Sequence, residues 1–249
     1  MKYTVITGAS SGIGYETALA FAARGKNLII VARRLDKLEE LKSTIHNINP
    51  ELDVIICTID LSVTDQAYNL YNKLKGYEIE TWINNAGLGE SAFVADQNLS
   101  KVETLLRVNI ESLTILSTLF VRDYAEKEGT QLINVSSALG YAIAVGTITY
   151  SASKYYVSAF TEGLAKELEL KGAKLKAKVI APAMTETEFA KNATNLDNFN
   201  YKENLPMYHT AKQVAGFMME IYDSNAVVGI VDQNYEFKIR DQIYPIIEG

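Results

Sequence analysis

The sequence predicts one doubly wound α/β domain, with a mainly parallel seven-stranded sheet and helices on both faces. Short, almost entirely apolar runs alternate with helix-length segments along the 249 residues, as expected for strands covered on both faces. This strand-helix-strand order implies parallel strands joined by right-handed crossovers. No repeat, low-complexity linker or second composition regime divides the chain. A ligand is therefore expected at the carboxyl ends of the strands, where the strand order reverses.

The individual elements follow from β-branched content and from helical spacing of apolar residues. Gly25 is a natural left-handed cap for the first helix, and Pro50 ends the second. The predicted strands are 3–7, 27–32, 54–59, 81–84, 132–135, 177–181 and 227–231. The predicted helices are 12–23, 36–48, 100–127, 150–170 and 211–222.

The segment 186–210 breaks this alternation. It is rich in asparagine and interleaves the large side chains Phe189, Phe199, Tyr201, Met207 and Tyr208. Because it follows the sixth predicted strand, it should lie over the ligand edge of the sheet. Long irregular segments in compact domains are usually lids or mobile loops. A substrate lid is favoured here, and a surface insertion is the alternative.

Composition excludes several classes of function. The net charge of −6 argues against a general binder of nucleic acid or anionic membranes. One cysteine, Cys57, cannot form an intrachain disulfide, and two histidines support no zinc or other metal site. No apolar run approaches the roughly 20 residues of a membrane span, and the N-terminus lacks a secretory pattern. The expectation is a soluble, cytoplasmic protein.

A glycine-rich loop joins the first strand to the first helix. Residues 7–14 read Thr-Gly-Ala-Ser-Ser-Gly-Ile-Gly. Glycines permit a tight turn and a close backbone approach to pyrophosphate, and the helix N-terminus supplies N–H groups for that anion. An ordinary glycine-rich turn is the alternative for the loop alone, but its strand-loop-helix context favours a dinucleotide site. The predicted contacts are Gly8, Ser10, Ser11, Gly12, Ile13 and Gly14.

The end of the second strand indicates which dinucleotide binds. An NAD site usually places an acid there for the ribose 2′-hydroxyl, whereas this chain has Arg33 and Arg34. Guanidinium groups suit a 2′-phosphate, so NADP(H) is predicted and NAD(H) is less favoured. The alternative is a solvated pair beside a helix that Asp36 caps. Asp60 and Leu61 are also predicted cofactor contacts. Asp60 would accept from the adenine amino group, or else it caps the following helix.

Three side chains suit carbonyl chemistry. Tyr150 and Lys154 lie four apart at the start of a predicted helix and so share one face. A free phenol has a pKa of about 10, and a nearby ammonium is expected to lower it. Ser137 follows the fifth predicted strand and can donate to a substrate oxygen. Ser136 is a rival for that role, and a surface Tyr–Lys pair is the alternative for the helix.

The chain resembles the short-chain dehydrogenase/reductase family in the order and spacing of four motifs. These are the loop 7–14, Asn-Asn-Ala-Gly at 84–87, Ser137, and Tyr150 with Lys154. The likeness runs from the first strand to about Thr187. It implies a Rossmann-type fold, and it selects Ser137 over Ser136 as the catalytic serine.

The resemblance also implies roles that the residues alone do not indicate. Asn109 falls on the family's fourth catalytic position, where a helix kink holds a water that relays protons to the lysine. Lys154 would also contact the nicotinamide ribose. The other implied cofactor contacts are Asn85, Ala86, Gly87, Tyr150, Pro182, Thr185 and Thr187.

Two departures from the family pattern concern the loops after the last strands. Ala183 replaces the usual glycine after Pro182, and Val231-Asp232 is not followed by the usual Gly-Gly. Residues 233–240 are instead expected to extend or pair with the last strand. The resemblance implies a homodimer or homotetramer. The missing Gly-Gly casts doubt on a tetramer built around the last strand, whereas a dimer through the helices near 105–120 and 150–170 is still expected.

The sequence thus predicts a reductase or dehydrogenase acting on a small-molecule carbonyl or secondary alcohol. Hydride would pass between NADP(H) and the substrate, with Tyr150 as general acid/base. A non-catalytic NAD(P)-binding scaffold or redox sensor is the alternative. Aromatic residues in the predicted lid favour an apolar or mixed substrate, and the sequence does not identify it further.

Overall fold

The architecture is an eight-stranded sheet between two helical layers, seen in a computed structural model that describes residues 1–189, 193, 201 and 206–247. The strands are β1 (Lys2–Thr7), β2 (Asn27–Ala32), β3 (Val54–Thr58), β4 (Glu78–Asn84), β5 (Gln131–Val135), β6 (Lys176–Ala181), β7 (Thr185–Glu186), β8 (His209–Thr210), β9 (Val228–Val231) and β10 (Phe237–Arg240). The helices are α1 (Gly12–Ala23), α2 (Leu35–Ile48), α3 (Gln66–Leu74), α4 (Leu99–Leu106), α5 (Leu113–Tyr124), α6 (Ile148–Leu170) and α7 (Ala211–Asp223).

The main sheet has the order β10-β9-β6-β5-β4-β1-β2-β3. All neighbours pair in parallel except β10, which pairs antiparallel with β9. The order reverses between β1 and β4, so a cleft opens there at the carboxyl ends. The predicted doubly wound α/β fold is confirmed.

The predicted strand number of seven was one too low. Residues after β9 turn back through Tyr235, whose φ is +60°, while Asp232 N donates to Glu236 O at 2.9 Å. This turn brings Phe237 opposite Val231 and adds β10 to the edge. The expected pairing of residues 233–240 with the last strand is thus seen as an antiparallel hairpin.

Alternate strand residues feed two cores, one on each face of the sheet. Ile6 and Ile30 face α1, α2 and α7 and pack with Phe21. Val5 and Ile29 face the other way and pack with Trp82 among residues of α3, α5 and α6. Period-two alternation in strands that are buried on both faces explains why these runs are apolar throughout.

Two helical features differ from the prediction. The sequence analysis did not identify α3, although its buried residues Ala67, Leu70, Tyr71 and Leu74 have helical spacing. The predicted helix 100–127 is interrupted by a π-helical segment, Arg107–Ser112. Such segments are single-turn insertions that often lie at functional sites.

The helical run Leu99–Tyr124 is the one span in the described part of the chain that is long and apolar enough to cross a membrane. Length and composition alone are weak evidence for that, since core helices share both properties. Here Leu116 and Phe120 are fully buried in the second core.

Buried amides attach α6 to the sheet. Asn84 Nδ2 donates to Asn134 Oδ1 at 2.9 Å, joining β4 to β5. Asn134 Nδ2 in turn donates to Thr161 Oγ1 on α6 at 2.9 Å. Each of these polar groups is buried and paired, as a stable core requires. The chain of bonds fixes α6 against the strand ends.

The C-terminal tail folds back onto α6 around one buried carboxylate. Glu162 has 0% exposure and accepts from Tyr141 Oη at 2.6 Å. It also accepts from the backbone N–H groups of Ile243 at 2.6 Å and Tyr244 at 3.0 Å. Tyr244 Oη donates to Gly140 O at 2.5 Å. This one side chain therefore holds the tail against the helix that carries Tyr150.

We predict that Glu162→Ala lowers the free energy of unfolding by about 2–4 kcal/mol, because it leaves three donors without their acceptor. Urea unfolding measures this. The control is Glu167→Ala, an exposed residue of the same helix, which should change stability by less than about 0.5 kcal/mol. Equal losses in the two variants would contradict the anchoring role of Glu162.

Candidate active site

One cavity of about 1580 Å³ lies at the carboxyl ends of the strands. It runs from the glycine loop, past the end of β2, to the start of α6. Ser137 and every predicted cofactor residue except Gly14 line it. The structure therefore brings these positions, which are distant in sequence, around one space.

The glycine loop is shaped by close backbone approach. A Cβ on Gly14 would lie 2.4 Å from both Gly8 O and Asn85 Nδ2, and Gly8 itself has φ +68°. Asn85 Nδ2 donates to Thr7 O at 2.9 Å and to Gly8 O at 3.2 Å. The absence of a side chain at Gly14 thus lets α1 pack closely beneath the loop, and Gly14 itself does not line the cavity. Asn85 holds the loop from the β4 side.

The loop fits the pyrophosphate of a dinucleotide. Ser11 is the N-cap of the 12-residue helix α1 and forms no side-chain cap bond in this role. The N–H groups of the first turn of α1 can therefore face an anion. A Cβ on Gly12, whose φ is +58°, would lie only 2.9 Å from Thr187 Cγ2. In the described part of the chain, no His, Cys, Asp or Glu cluster could hold a metal.

Two arginines line the cavity at the end of β2. Arg33 Nη1 lies 4.0 Å from Asp60 Oδ2, while Arg34 Nη2 donates to Ser10 Oγ at 3.2 Å and Ser11 Oγ at 3.0 Å. Asp60 Oδ1 accepts from the N–H and hydroxyl of Ser62. The carboxylate of Asp60 therefore closes a local turn and does not cap α3.

Tyr150, Lys154 and Ser137 line the cavity together at the start of α6 and the end of β5. Lys154 Nζ donates to Val135 O at 2.9 Å and lies 5.8 Å from the centroid of the Tyr150 ring. Ser137 Oγ accepts from Leu139 N at 3.1 Å. These contacts place the hydroxyls of Ser137 and Tyr150 at the end of β5.

The protonation states differ from the expectation. Burial raises the pKa of Tyr150 to about 12, while interaction with the Ser137 side chain lowers it in part. Burial lowers the pKa of Lys154 to about 8. Desolvation of a buried phenolate thus shifts the pKa of Tyr150 in the direction opposite to the expected lowering. At neutral pH Tyr150 is a neutral phenol.

The two neighbouring serines have separate surroundings. Ser136 Oγ donates to Lys154 O at 2.9 Å and lies 2.7 Å from Ser158 Oγ, inside the packing of α6. Ser137, by contrast, interacts with the phenol of Tyr150. Of the two, only Ser137 combines a cavity position with a contact to Tyr150.

Asn109 lies in the π-helical segment and is 1% exposed. Its Oδ1 accepts from Leu88 N at 2.8 Å, and its Nδ2 donates to Leu88 O at 2.9 Å and Ser153 Oγ at 3.0 Å. The side chain therefore joins the loop after β4 to α6. It does not line the cavity. The contact to Ser153, which the sequence analysis missed, has no local sequence signal.

The loop after β6 covers the cavity from above. Thr187 packs its Cγ2 against Gly12, and the Phe189 ring lies 5.5 Å from the ring of Tyr150. Pairing of β7 with β8 brings the two ends of the segment 186–210 together. Pro182 and Thr185 line the same space. Residues 190–192, 194–200 and 202–205 of the predicted lid, which include Phe199, lie outside the described residues.

The opposite wall comes from residues that the sequence analysis did not single out. Tyr141, Gln242 and Ile243 line the cavity, and the rings of Tyr141 and Tyr244 stack at 5.3 Å. These contacts depend on the buried Glu162. The one sequence feature that could have indicated this wall is Glu162, an acidic residue in a mostly apolar stretch of α6.

The arrangement can carry out proton transfer beside a bound dinucleotide. A neutral phenol and a hydroxyl face the cavity, an ammonium lies one helical turn away, and the glycine loop and arginines provide sites for phosphates. These groups suit reduction of a carbonyl, in which the oxygen needs a hydrogen-bond donor and then a proton.

Comparison with known proteins agrees with this geometry. A family model described as short chain dehydrogenase matches residues 2–198. An uncharacterized oxidoreductase of Staphylococcus saprophyticus is 31% identical over 204 residues, which cover 79% of this chain and 79% of that protein.

Solved structures show the same fold. A short-chain dehydrogenase from Sphingobium yanoikuyae in complex with NADPH aligns with a TM-score of 0.84 and 28% identity, covering 92% of this chain and 87% of that one. A bulky-bulky ketone specific alcohol dehydrogenase from Comamonas testosteroni aligns with a TM-score of 0.80 and 26% identity, covering 92% and 86%. The chain therefore belongs to the short-chain dehydrogenase/reductase family of oxidoreductases.

Proposed function

We propose that this protein is an NADP(H)-dependent oxidoreductase that interconverts a carbonyl and a secondary alcohol, with Tyr150 as general acid/base. The observation that carries the proposal is one continuous cavity that is lined both by Tyr150 and Ser137 and by Arg33 and Arg34. The two guanidinium groups at the end of β2 favour NADP(H) over NAD(H). The complex of the Sphingobium neighbour with NADPH supports the same cofactor.

The chain's own residues would hold the cofactor in three places. The pyrophosphate would lie against the Gly8–Gly12 turn and the start of α1. A 2′-phosphate would accept from Arg33 and Arg34, and Lys154 would bind the nicotinamide ribose. When bound, the nicotinamide supplies or accepts the hydride.

The protonation states provide a proton donor for carbonyl reduction near neutral pH. Tyr150, with a pKa of about 12, can donate its proton to the developing alkoxide. Ser137 donates a second hydrogen bond and fixes the oxygen. Lys154, still mostly protonated at neutral pH because its pKa is about 8, stabilises the phenolate that forms.

Asn109 acts in this proposal through its place in the π-helical segment. Its side chain fixes Leu88 and Ser153, so the widened helix turn is held beside Lys154. Water at that turn would return a proton to Lys154 and then to Tyr150. This assigns Asn109 the relay position.

The walls of the cavity favour a bulky substrate of apolar or mixed character. Phe189 covers Tyr150, and Met184, Tyr141 and Ile243 line the same space. Segment 186–210 is proposed as the lid. Similarity to a bulky-bulky ketone specific alcohol dehydrogenase supports this substrate class.

We further propose a homodimer through the helices near 105–120 and α6. At the other end of the sheet, β10 pairs along β9. That edge of β9 is thus unavailable for pairing with a second copy. This favours a dimer over a tetramer built around β9.

The first test is Tyr150→Phe. It should lower kcat/KM for ketone reduction by roughly 10²- to 10⁴-fold, because the proton donor is lost. The Kd for NADPH, measured by fluorescence titration, should change little. Tyr156→Phe, an exposed tyrosine of the same helix, is the control with retained activity. Near wild-type turnover by Tyr150→Phe refutes the role, and tight NADPH binding without turnover across a broad carbonyl and alcohol panel favours the scaffold alternative.

The second test concerns the cofactor. Arg33→Ala and Arg34→Ala should each weaken NADPH binding by roughly 10- to 100-fold, the range for hydrogen bonds to charged groups. NADH binding should change little, since it lacks the 2′-phosphate. Isothermal titration with both cofactors measures the preference. An unchanged NADPH/NADH ratio in both variants would show that the cofactor assignment is wrong.

A third test uses the buried lysine. The pKa of Lys154 is lowered from 10.5 to about 8, so between these values the unfolded chain binds more protons and stability rises with pH. Relative to Lys154→Met, the wild type should gain about 2 kcal/mol between about pH 7 and about pH 10. Lys178, lowered in the same direction, is unchanged in both proteins. Urea unfolding measures this. If the difference in unfolding free energy between the wild type and Lys154→Met is the same at the two pH values, the ammonium of Lys154 is not destabilised by burial.

A further inference from the structure

Arg34 is already paired with an anion of the same chain. Its Nη2 lies 2.9 Å from Glu188 Oε2, at the start of the segment after β7. The same nitrogen donates to Ser10 Oγ and Ser11 Oγ. A carboxylate from the cavity's cover is thus held at the junction of the glycine loop and the end of β2.

The surroundings of Glu188 are those of an anion site. Its carboxyl pKa is lowered chiefly by the hydrogen bond from Arg34, and the Ser11 hydroxyl contributes in the same direction. Thr187, the preceding residue, packs against Gly12 at the start of α1. The carboxylate therefore lies near a helix N-terminus, a guanidinium and two hydroxyls, all of which favour negative charge.

Of these groups, Arg34 is the one that the 2′-phosphate of NADP(H) would use under the proposed function. Two anions cannot share Arg34 without repulsion, since like charges at hydrogen-bonding distances oppose each other even near the surface. NAD(H), whose ribose carries only hydroxyls at this place, brings no such repulsion. Glu188 is therefore expected to weaken the binding of NADP(H) and to leave the binding of NAD(H) unchanged.

We propose that Glu188 is an internal counterion that competes with the 2′-phosphate of NADP(H) for Arg34 and so reduces the enzyme's preference for NADP(H) over NAD(H). It is a positioning residue, acting through Arg34. The inference rests on the proposed use of NADP(H). The pair is partly exposed, with side-chain exposures of 43% for Arg34 and 53% for Glu188. The competition is therefore modest, roughly two- to fivefold in affinity.

The test measures binding, which does not require a known substrate. Titrations of the full chain with adenosine 2′,5′-bisphosphate and adenosine 5′-phosphate isolate the 2′-phosphate, and NADPH and NADH are titrated in parallel. Glu188→Gln should bind the two 2′-phosphate ligands roughly two- to fivefold more tightly than the wild type. Affinity for the other two should stay within experimental error.

Glu186→Gln is the matched control, because this exposed residue removes the same charge two positions earlier in β7. It should leave the four affinities unchanged. Equal tightening of all four ligands by Glu188→Gln, no tightening of any, or the same effect from Glu186→Gln would overturn the proposal.

Failure of the proposed cofactor use looks different. In that case neither the wild type nor the Arg34→Ala variant would show a preference for 2′-phosphate ligands. Glu188 would then have no 2′-phosphate to compete with. If Arg34→Ala abolishes the preference while Glu188→Gln leaves it unaltered, NADP(H) use stands and the counterion role is refuted.

Discussion

The site depends on the buried hydrogen bond from Lys154 Nζ to Val135 O, 2.9 Å long. It brings the first turns of α6 to the carboxyl end of β5, so that Tyr150 faces Ser137. An ammonium buried this deeply is costly, and burial lowers its pKa to about 8. The surrounding structure must therefore hold the helix in place. The side-chain hydrogen bonds from Asn84 to Asn134 and from Asn134 to Thr161 do so. The position of Tyr150 thus depends on the core of the sheet.

The other half of the cleft is built by backbone proximity. Gly14 lets the start of α1 approach Gly8, and Asn85 bonds the loop from the neighbouring strand. A short part of the chain then connects the two halves. Thr187 touches the start of α1, Glu188 pairs with Arg34, and Phe189 covers Tyr150. The cofactor binding and the substrate enclosure proposed above would therefore share three consecutive residues, and this would link the cover of the cavity to the choice of cofactor.

Local patterns predicted most of the fold, because strands buried on both faces must be apolar and crossover helices must be amphipathic. The seven predicted strands form, and the predicted catalytic and cofactor positions lie around one cavity, apart from Gly14 beneath the loop and Asn109 behind it. The remaining features depend on distant contacts. The π-helical turn is held by Asn109 bonding to Leu88, and the direction of the Tyr150 pKa shift is set by burial, which spacing does not record. The short helix α3 had a readable pattern in Leu70 and Leu74 that was missed.

A crystal structure of the protein with NADP⁺ and a bound ketone or alcohol would show whether Tyr150 and Ser137 together hold one substrate oxygen beside the nicotinamide. We expect a ligand oxygen within about 3 Å of both hydroxyl oxygens, with the nicotinamide ring beside the carbon that carries it. A ligand oxygen bound elsewhere in the cavity, or a Tyr150 hydroxyl turned away from it, would rule this arrangement out.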